Sequence, residues 1–272
     1  MTFDNYRRVL STIKGETKAI RLNGRGESTI HPMFLDILLE TRRECPSTTI
    51  NLFSNLMFSN STILDAFVEC GVQLFVSIDS TDDIELAAIR KGASLATIEA
   101  NLKALATIEN RPFIVFTVQE LNLHRILDIA LFASRHDCNV LYNTISGQSI
   151  GDFVDTISRQ HNDLVAQFDE ARRVLFSVGR DCFVPDQMAG VPVAARSVIR
   201  TCGSMEKCNV IGKKLCIFFD GKVGPCNMLN PFVIGNIYES SPAEILSGVA
   251  ISEFNACHIG NKYCNNCANM GI

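Results

Sequence analysis

Five short runs of Val, Ile, Leu and Phe, each followed by a stretch with helical spacing, govern what the first half of this chain can fold into. The runs are KAIRLNG (18–24), TTINLFSN (48–55), QLFVSID (73–79), PFIVFTV (112–118) and NVLYNTI (139–145). They are too continuously apolar for a sheet with one wet face, so they read as strands covered on both sides. Between them, MFLDILLETRREC, STILDAFVEC, LATIEANLKALATI and HRILDIALFASRH repeat apolar residues at intervals of three and four, the mark of a helix with one buried face. Such alternation predicts repeated β–α units in a parallel sheet or barrel. The chain opens on a helix-like segment, YRRVLSTI, so the strand that should precede it is missing from the repeat.

Beyond residue 150 the pattern changes. DFVDTISRQHNDLVAQFDEARRVLF is helical in spacing, and DCFVPDQMAGVPVAARS, with its prolines and glycine, reads as loop. A domain boundary is expected near residue 180, with residues 1–180 forming a partial barrel and residues 181–272 a small cysteine-rich domain. Within the latter, CIFFDGKVGPC reads as a β-hairpin whose Asp220-Gly221 supplies the positive φ angles of a two-residue turn. Such a hairpin carries Cys226 back toward Cys208. Ser241-Pro242-Ala243-Glu244 combines an N-cap serine, a first-turn proline and a glutamate three residues on, so a helix should begin there and lead to Cys264 and Cys267.

Seven of the eleven cysteines lie between Cys202 and Cys267. At 272 residues and 47% hydrophobic content the chain can bury a large core, so it does not need a disulfide framework. The odd cysteine count and the lack of a signal-peptide pattern favour thiols, metal ligation and a cytoplasmic location. A charge of −4, a pI near 5.8 and scattered basic residues give no attraction to nucleic acid or anionic membrane. No apolar run reaches the ~20 residues that span a bilayer. Thiolates suit zinc or an iron–sulfur cluster. A zinc ribbon usually has two tight C-x2-C pairs, whereas here only Cys264/Cys267 is tight, which favours a cluster held by Cys208, Cys226, Cys264 and Cys267. Cys216 reads as a small apolar strand residue, Cys202 and Cys257 as reserve ligands or packing residues, His258 as a loop residue, and Cys45, Cys70, Cys138 and Cys182 as isolated thiols.

The run C-x12-G-x4-C from Cys208 through Gly221 to Cys226 resembles the C-x9–15-G-x4-C pattern of radical S-adenosylmethionine (SAM) enzymes with a C-terminal SPASM or twitch extension. The resemblance extends over most of the chain. Gly24-Arg25-Gly26-Glu27-Ser28 is similar to the family's G-x-G-E-P turn, with serine in place of proline, and is followed by Ile30-His31-Pro32. VSIDS (76–80), IRKG (89–92), EANLKAL (99–105) and VQELN (118–122) follow in the family's order. The resemblance implies a barrel in which Gly24, Gly26 and Glu27 lie at the SAM methionine, Asn55, Ser77 and Asp79 face its ribose and carboxylate, and Arg90 pairs with that carboxylate. Each has an ordinary alternative: Asn55 as a turn residue, Asp79 as a helix N-cap, Arg90 as a solvated helix charge. One auxiliary 4Fe–4S cluster, the twitch form, is implied.

The family's C-x3-C-x2-C, which holds the SAM-cleaving cluster, does not occur in these residues. Two readings follow: the sequence starts inside a longer protein whose upstream part carries the trio, or it is a degenerate member that survives as a zinc- or cluster-stabilised binding module. In the first, the intact protein would cleave SAM reductively and oxidise or modify a peptide or small polar substrate, served by an electron donor such as flavodoxin or ferredoxin. No residue can be nominated as a catalytic acid or base.

Overall fold

The computed structural model describes residues 1–24, 26–144, 151–185, 187–188, 191–193, 211–226 and 232–257. Helix α1 (Phe3–Ile13) precedes an alternation of β1 (Ala19–Arg21), α2 (Phe34–Glu44), β2 (Thr49–Ser54), α3 (Ser61–Glu69), β3 (Gln73–Ser77), α4 (Asp83–Ile89), α5 (Leu95–Ala104), β4 (Phe113–Val118), α6 (Ile126–Arg135), β5 (Asn139–Thr144), α7 (Gly151–Arg159), α8 (His161–Ser177) and β6 (Cys182–Phe183). The six strands form one sheet in chain order, every neighbouring pair parallel. Because the order never reverses, right-handed crossovers put all the helices on one face and leave the other free to curl inward. This is a partial barrel, as the sequence predicts.

Alternation along each strand separates the two faces. Ile50, Leu52, Leu74, Val76, Ile114, Phe116, Val140 and Tyr142 point outward and pack with Leu38, Phe67, Leu102, Ile129, Phe132 and Phe168 of the helices in one buried cluster. Local chemistry starts the helices: Thr2, Asn60, Asp82 and Ser94 each accept a backbone N–H as N-cap. Cys45, Cys70, Cys138 and Cys182 are buried thiols of this core region.

Three expectations need correction. The stretch 181–197 is not all loop: Cys182–Phe183 adds a sixth parallel strand, carrying the sheet past residue 180, and β7 (Gln187–Met188) pairs antiparallel with β8 (Val191–Pro192). A two-residue strand carries too few positions to show a period. The helical segment after residue 150 is two helices, α7 and α8. The hairpin of β9 (Cys216–Ile217) and β10 (Lys222–Gly224) has the predicted pairing but not the predicted turn. Gly221 N–H donates to Phe218 O and Phe218 N–H to Lys222 O, and only Gly221 takes a positive φ, +84°. One left-handed glycine closes a longer loop with a bulge, so Asp220 keeps an ordinary conformation.

A third strand, β11 (Gly235–Asn236), flanks β10, and the expected capping box starts α9 (Pro242–Ser247): Ser241 Oγ accepts from Glu244 N–H while Glu244 accepts from Ser241 N–H. That helix stops at Gly248, and α10 (Val249–Cys257) continues the chain. Val223, Ile234, Ile237, Ile245 and Ile251 form a second cluster that includes Val9 of α1. An adjoining side of α1 packs Leu10 on Ile20 and Cys45. Arg8 of the same helix lies over the Tyr238 ring, 4.3 Å from its centroid. Helix α1 is therefore the splint between barrel and C-terminal part.

A Cβ at Gly221 would overlap the Tyr238 ring, whereas one at Gly24 meets no atom within 4 Å. Gly221→Ala is thus expected to destabilise the C-terminal part by about 3 kcal/mol, from a left-handed backbone plus overpacking. Gly24→Ala should leave the melting temperature unchanged; thermal unfolding followed by circular dichroism compares the two.

Candidate functional site

Parallel sheets present ligand sites beyond the carboxyl ends of their strands, and there the predicted residues Gly24, Gly26, Glu27, Asn55, Ser77, Asp79 and Arg90 gather. The chain leaves β1 through Asn23, whose side-chain amide donates to Phe53 O and accepts from Phe53 N–H, both at 2.7 Å. This extends the β1–β2 ladder by a side chain and fixes the start of the glycine turn. Gly26 has φ +92°, and ideal Cβ atoms at Gly24 and Gly26 would meet nothing within 4 Å. The turn needs glycine for its backbone and leaves room over it for a close-lying ligand.

Glu27 turns its carboxylate back into the protein. One oxygen accepts from Ser54 Oγ and Thr29 Oγ1 at 2.9 Å each, the other from Asn55 N–H at 2.9 Å. Glu27 therefore clamps the turn to the end of β2, leaving backbone rather than carboxylate to meet a ligand. Asn55 accepts from Met57 N–H through Oδ1, the turn role, while its amide N–H2 makes no hydrogen bond among the described residues. Ser77 shares the inner face with it, its hydroxyl likewise without a partner among those residues. The next turn is held by Asn101 of α5, which donates to Leu56 O and Phe58 O, both at 2.8 Å, and so secures Leu56 at φ 50°.

Asp79 does not cap a helix; Asp82 caps α4 instead. Asp79 is buried, accepts from Arg90 Nε at 2.6 Å and from Thr117 N–H at 2.9 Å, and so ties β3 to β4. Asn122, fully buried, donates to Asp79 O and Thr117 O and accepts from Gln119 N–H, locking the same corner. Arg90 uses Nε for Asp79, so its terminal nitrogens stay at the rim. Sequence reading missed Asn23, Asn101 and Asn122 as site residues, although the last two lie in the EANLKAL and VQELN strings.

Next to this corner, Glu85 receives Arg125 Nε and Nη2 at 2.8 Å each and Ser80 Oγ at 2.9 Å, with His124 at 3.2 Å. The Arg125 fork holds the Glu85 carboxyl down to about 2. A depressed carboxyl stabilises the fold fully above its unfolded value of 4.5, and the contribution fades as pH falls through about 2. Acid titrations of wild type and Glu85→Gln should differ by about 1 kcal/mol at neutral pH, the partly exposed pair being screened, and converge near the acid end.

Of the four predicted cluster ligands, Cys226 is described; Cys208, Cys264 and Cys267 lie outside the described residues, as do Cys202 and His258. Cys226 follows β10, is 7% exposed and packs on Phe232 and Phe254. Cys216 sits opposite Gly224 in the hairpin register, and burial, then the nearby Cys226, push its thiol up. A buried thiol with an apolar seat at a hairpin end suits a soft metal centre. No group of three or more metal-ligating side chains converges among the described residues. No helix of the described residues is long and apolar enough to cross a membrane.

Comparison with solved structures places this architecture. Native anSMEcpe with bound AdoMet and Cp18Cys peptide superimposes with a TM-score of 0.70 at 14% identity, covering 98% of this chain and 80% of that one. Streptococcus suis SuiB bound to S-adenosylmethionine gives 0.65 at 11% identity, covering 97% and 64%. This chain shares with them the fold of a partial parallel barrel followed by a small C-terminal part. Residues 208–268 match SPASM, an iron–sulfur cluster-binding domain. No curated protein matches the sequence.

Proposed function

We propose that the chain binds SAM at the glycine turn and strand ends and holds a 4Fe–4S cluster through Cys208, Cys226, Cys264 and Cys267, as part of a radical SAM/SPASM activity on a peptide or small polar substrate. The observation that carries this is the open turn at Gly24 and Gly26 beside an Asn55 amide and a Ser77 hydroxyl that have no partner among the described residues, in a chain whose residues 208–268 match the cluster-binding domain. Solved structures of similar fold that hold AdoMet, one of them with a peptide, support it.

Gly24 and Gly26 would offer backbone to the methionine end, Asn55 and Ser77 would hydrogen-bond the ribose, and Arg90 would pair its free nitrogens with the carboxylate. Asp79 would act one step back, fixing Arg90. When bound and reduced at a cluster, SAM supplies a radical that takes hydrogen from a substrate. The residues of this chain would bind and orient SAM; with no C-x3-C-x2-C among them, electron transfer to SAM is not a role they take. A ferredoxin or flavodoxin is the class of donor such chemistry uses.

The test is anaerobic purification with iron, sulfide and zinc analysis, followed by calorimetric titration with SAM. About four irons per chain and SAM binding weakened by Asn55→Ala are expected. Zinc without iron, or no heat of SAM binding, would replace this reading with a structural binding module.

A further inference from the structure

Below the polar rim, the inner face of the sheet is aromatic. The register aligns Phe53 with Phe75 and Phe75 with Phe113. Their rings stack at centroid distances of 4.5 and 5.3 Å, with interplanar angles of 8° and 14°. Phe183 of β6 extends the row at 5.8 Å from Phe113 and is 53% exposed. None of the four joins the buried apolar clusters of the described residues. Arg21 of β1 closes the row, its guanidinium carbon 4.5 Å from the Phe53 centroid.

Arginines on the helices, such as Arg43 and Arg125, meet carboxylates. Arg21 makes no ion pair or hydrogen bond among the described residues, and partial burial works against its charge. Cys216 of the C-terminal hairpin is near enough to favour the Arg21 charge. A guanidinium over a ring face can still offer its N–H fork to a two-pronged anion.

We propose that this row is a ligand-binding floor for an organic carboxylate with a flat apolar body, the body stacking along Phe53 and Phe75 and the carboxylate paired with Arg21. A single guanidinium beside an aromatic surface matches a planar monoanion better than a phosphate, which draws on several donors. As a statement about substrate the proposal rests on the radical SAM reading; as a binding site it does not need it.

Ligand-observed saturation-transfer NMR on the full chain tests it with 3-phenylpropionate, 3-phenylpropylamine and propionate. The aromatic acid should bind, and the amine and the ringless acid should each be at least about tenfold weaker. Arg21→Gln should bring the aromatic acid down to the level of the amine, and Phe75→Leu should weaken both aromatic probes. If Arg21→Gln folds poorly by circular dichroism, Arg21→Lys, which keeps charge but loses the planar fork, should fall between. A phenylalanine-terminated peptide that binds more tightly than the free acid, with loss on C-terminal amidation, assigns the carboxylate to a peptide end; equal binding assigns it to a small acid. Equal affinity for acid and amine, displacement by inorganic phosphate at matching affinity, an unaffected Arg21→Gln, or no binding would each overturn the proposal. SAM binding should be unchanged in Arg21→Gln; loss of SAM binding in wild type with acid binding intact would strike the functional reading and not this one.

Discussion

Replacing Asp79 with alanine is expected to cost about 3 kcal/mol of stability, because removing one partner of a buried charge pair strands the other. The carboxylate does two jobs from one buried position: Oδ2 accepts from Arg90 Nε at 2.6 Å and Oδ1 from Thr117 N–H at 2.9 Å. Alanine deletes both and leaves Arg90 with a third of its side chain exposed as its route to water, which keeps the cost toward the lower end of the ~3–5 kcal/mol range for such losses. Asparagine retains an acceptor for Thr117 and should lose about half as much. In a chain of this size about 3 kcal/mol lowers the melting temperature by roughly 6–12 °C. Equilibrium urea unfolding of wild type, Asp79→Ala, Asp79→Asn and Arg90→Gln measures the series. SAM affinity should fall in Asp79→Ala even where the protein stays folded, because Arg90 is no longer held at the rim. A loss under 0.5 kcal/mol in Asp79→Ala would mean that the strand ends are held by Asn122 alone.

That corner shows which parts of the molecule a sequence can disclose. The parallel sheet was legible because most strands carry apolar residues toward both faces: outward Leu and Ile face helices, and inward Phe53, Phe75 and Phe113 face one another. Strand β6 was not legible, since Cys182 and Phe183 follow a helix and precede a proline-containing stretch without any period. The Asp220-Gly221 pair pointed to a hairpin correctly but not to its turn, because a single left-handed glycine was enough. Gly24, Gly26 and Glu27 stood out as a string. Asn23, Asn101 and Asn122 did not, because each bonds to backbone on another segment, at separations of 30 residues for Asn23, 45 and 43 for Asn101 and 43 for Asn122 to Asp79. Side-chain-to-backbone bonds over such distances leave no local pattern.

Substituting Cys226 with serine is expected to abolish iron binding and to unfold the C-terminal part while the barrel stays folded. Among the described residues the apolar cluster of that part is small: Ile211, Val223, Ile234, Ile237, Ile245 and Ile251, leaning on Val9 of α1. So few buried side chains leave little net stability once chain entropy is met, and small units of this kind depend on a metal or another staple. Cys226 is buried on Phe232 and Phe254, so a hydroxyl there also loses its apolar contacts. The Cys264→Ala/Cys267→Ala pair should behave like Cys226→Ser. Cys216→Ser is the discriminating control: Cys216 lies across the hairpin from Gly224, close to Cys226, yet its place in the strand reads as packing rather than ligation. Iron analysis and limited proteolysis of anaerobically prepared variants separate the cases. Iron retained in Cys216→Ser and lost in Cys208→Ser fixes the ligand set as proposed, and the reverse moves the first ligand from the loop into the hairpin. Iron retained in Cys226→Ser would remove the hairpin from the site, because Cys226 is the thiol that the turn at Gly221 returns to the domain interior.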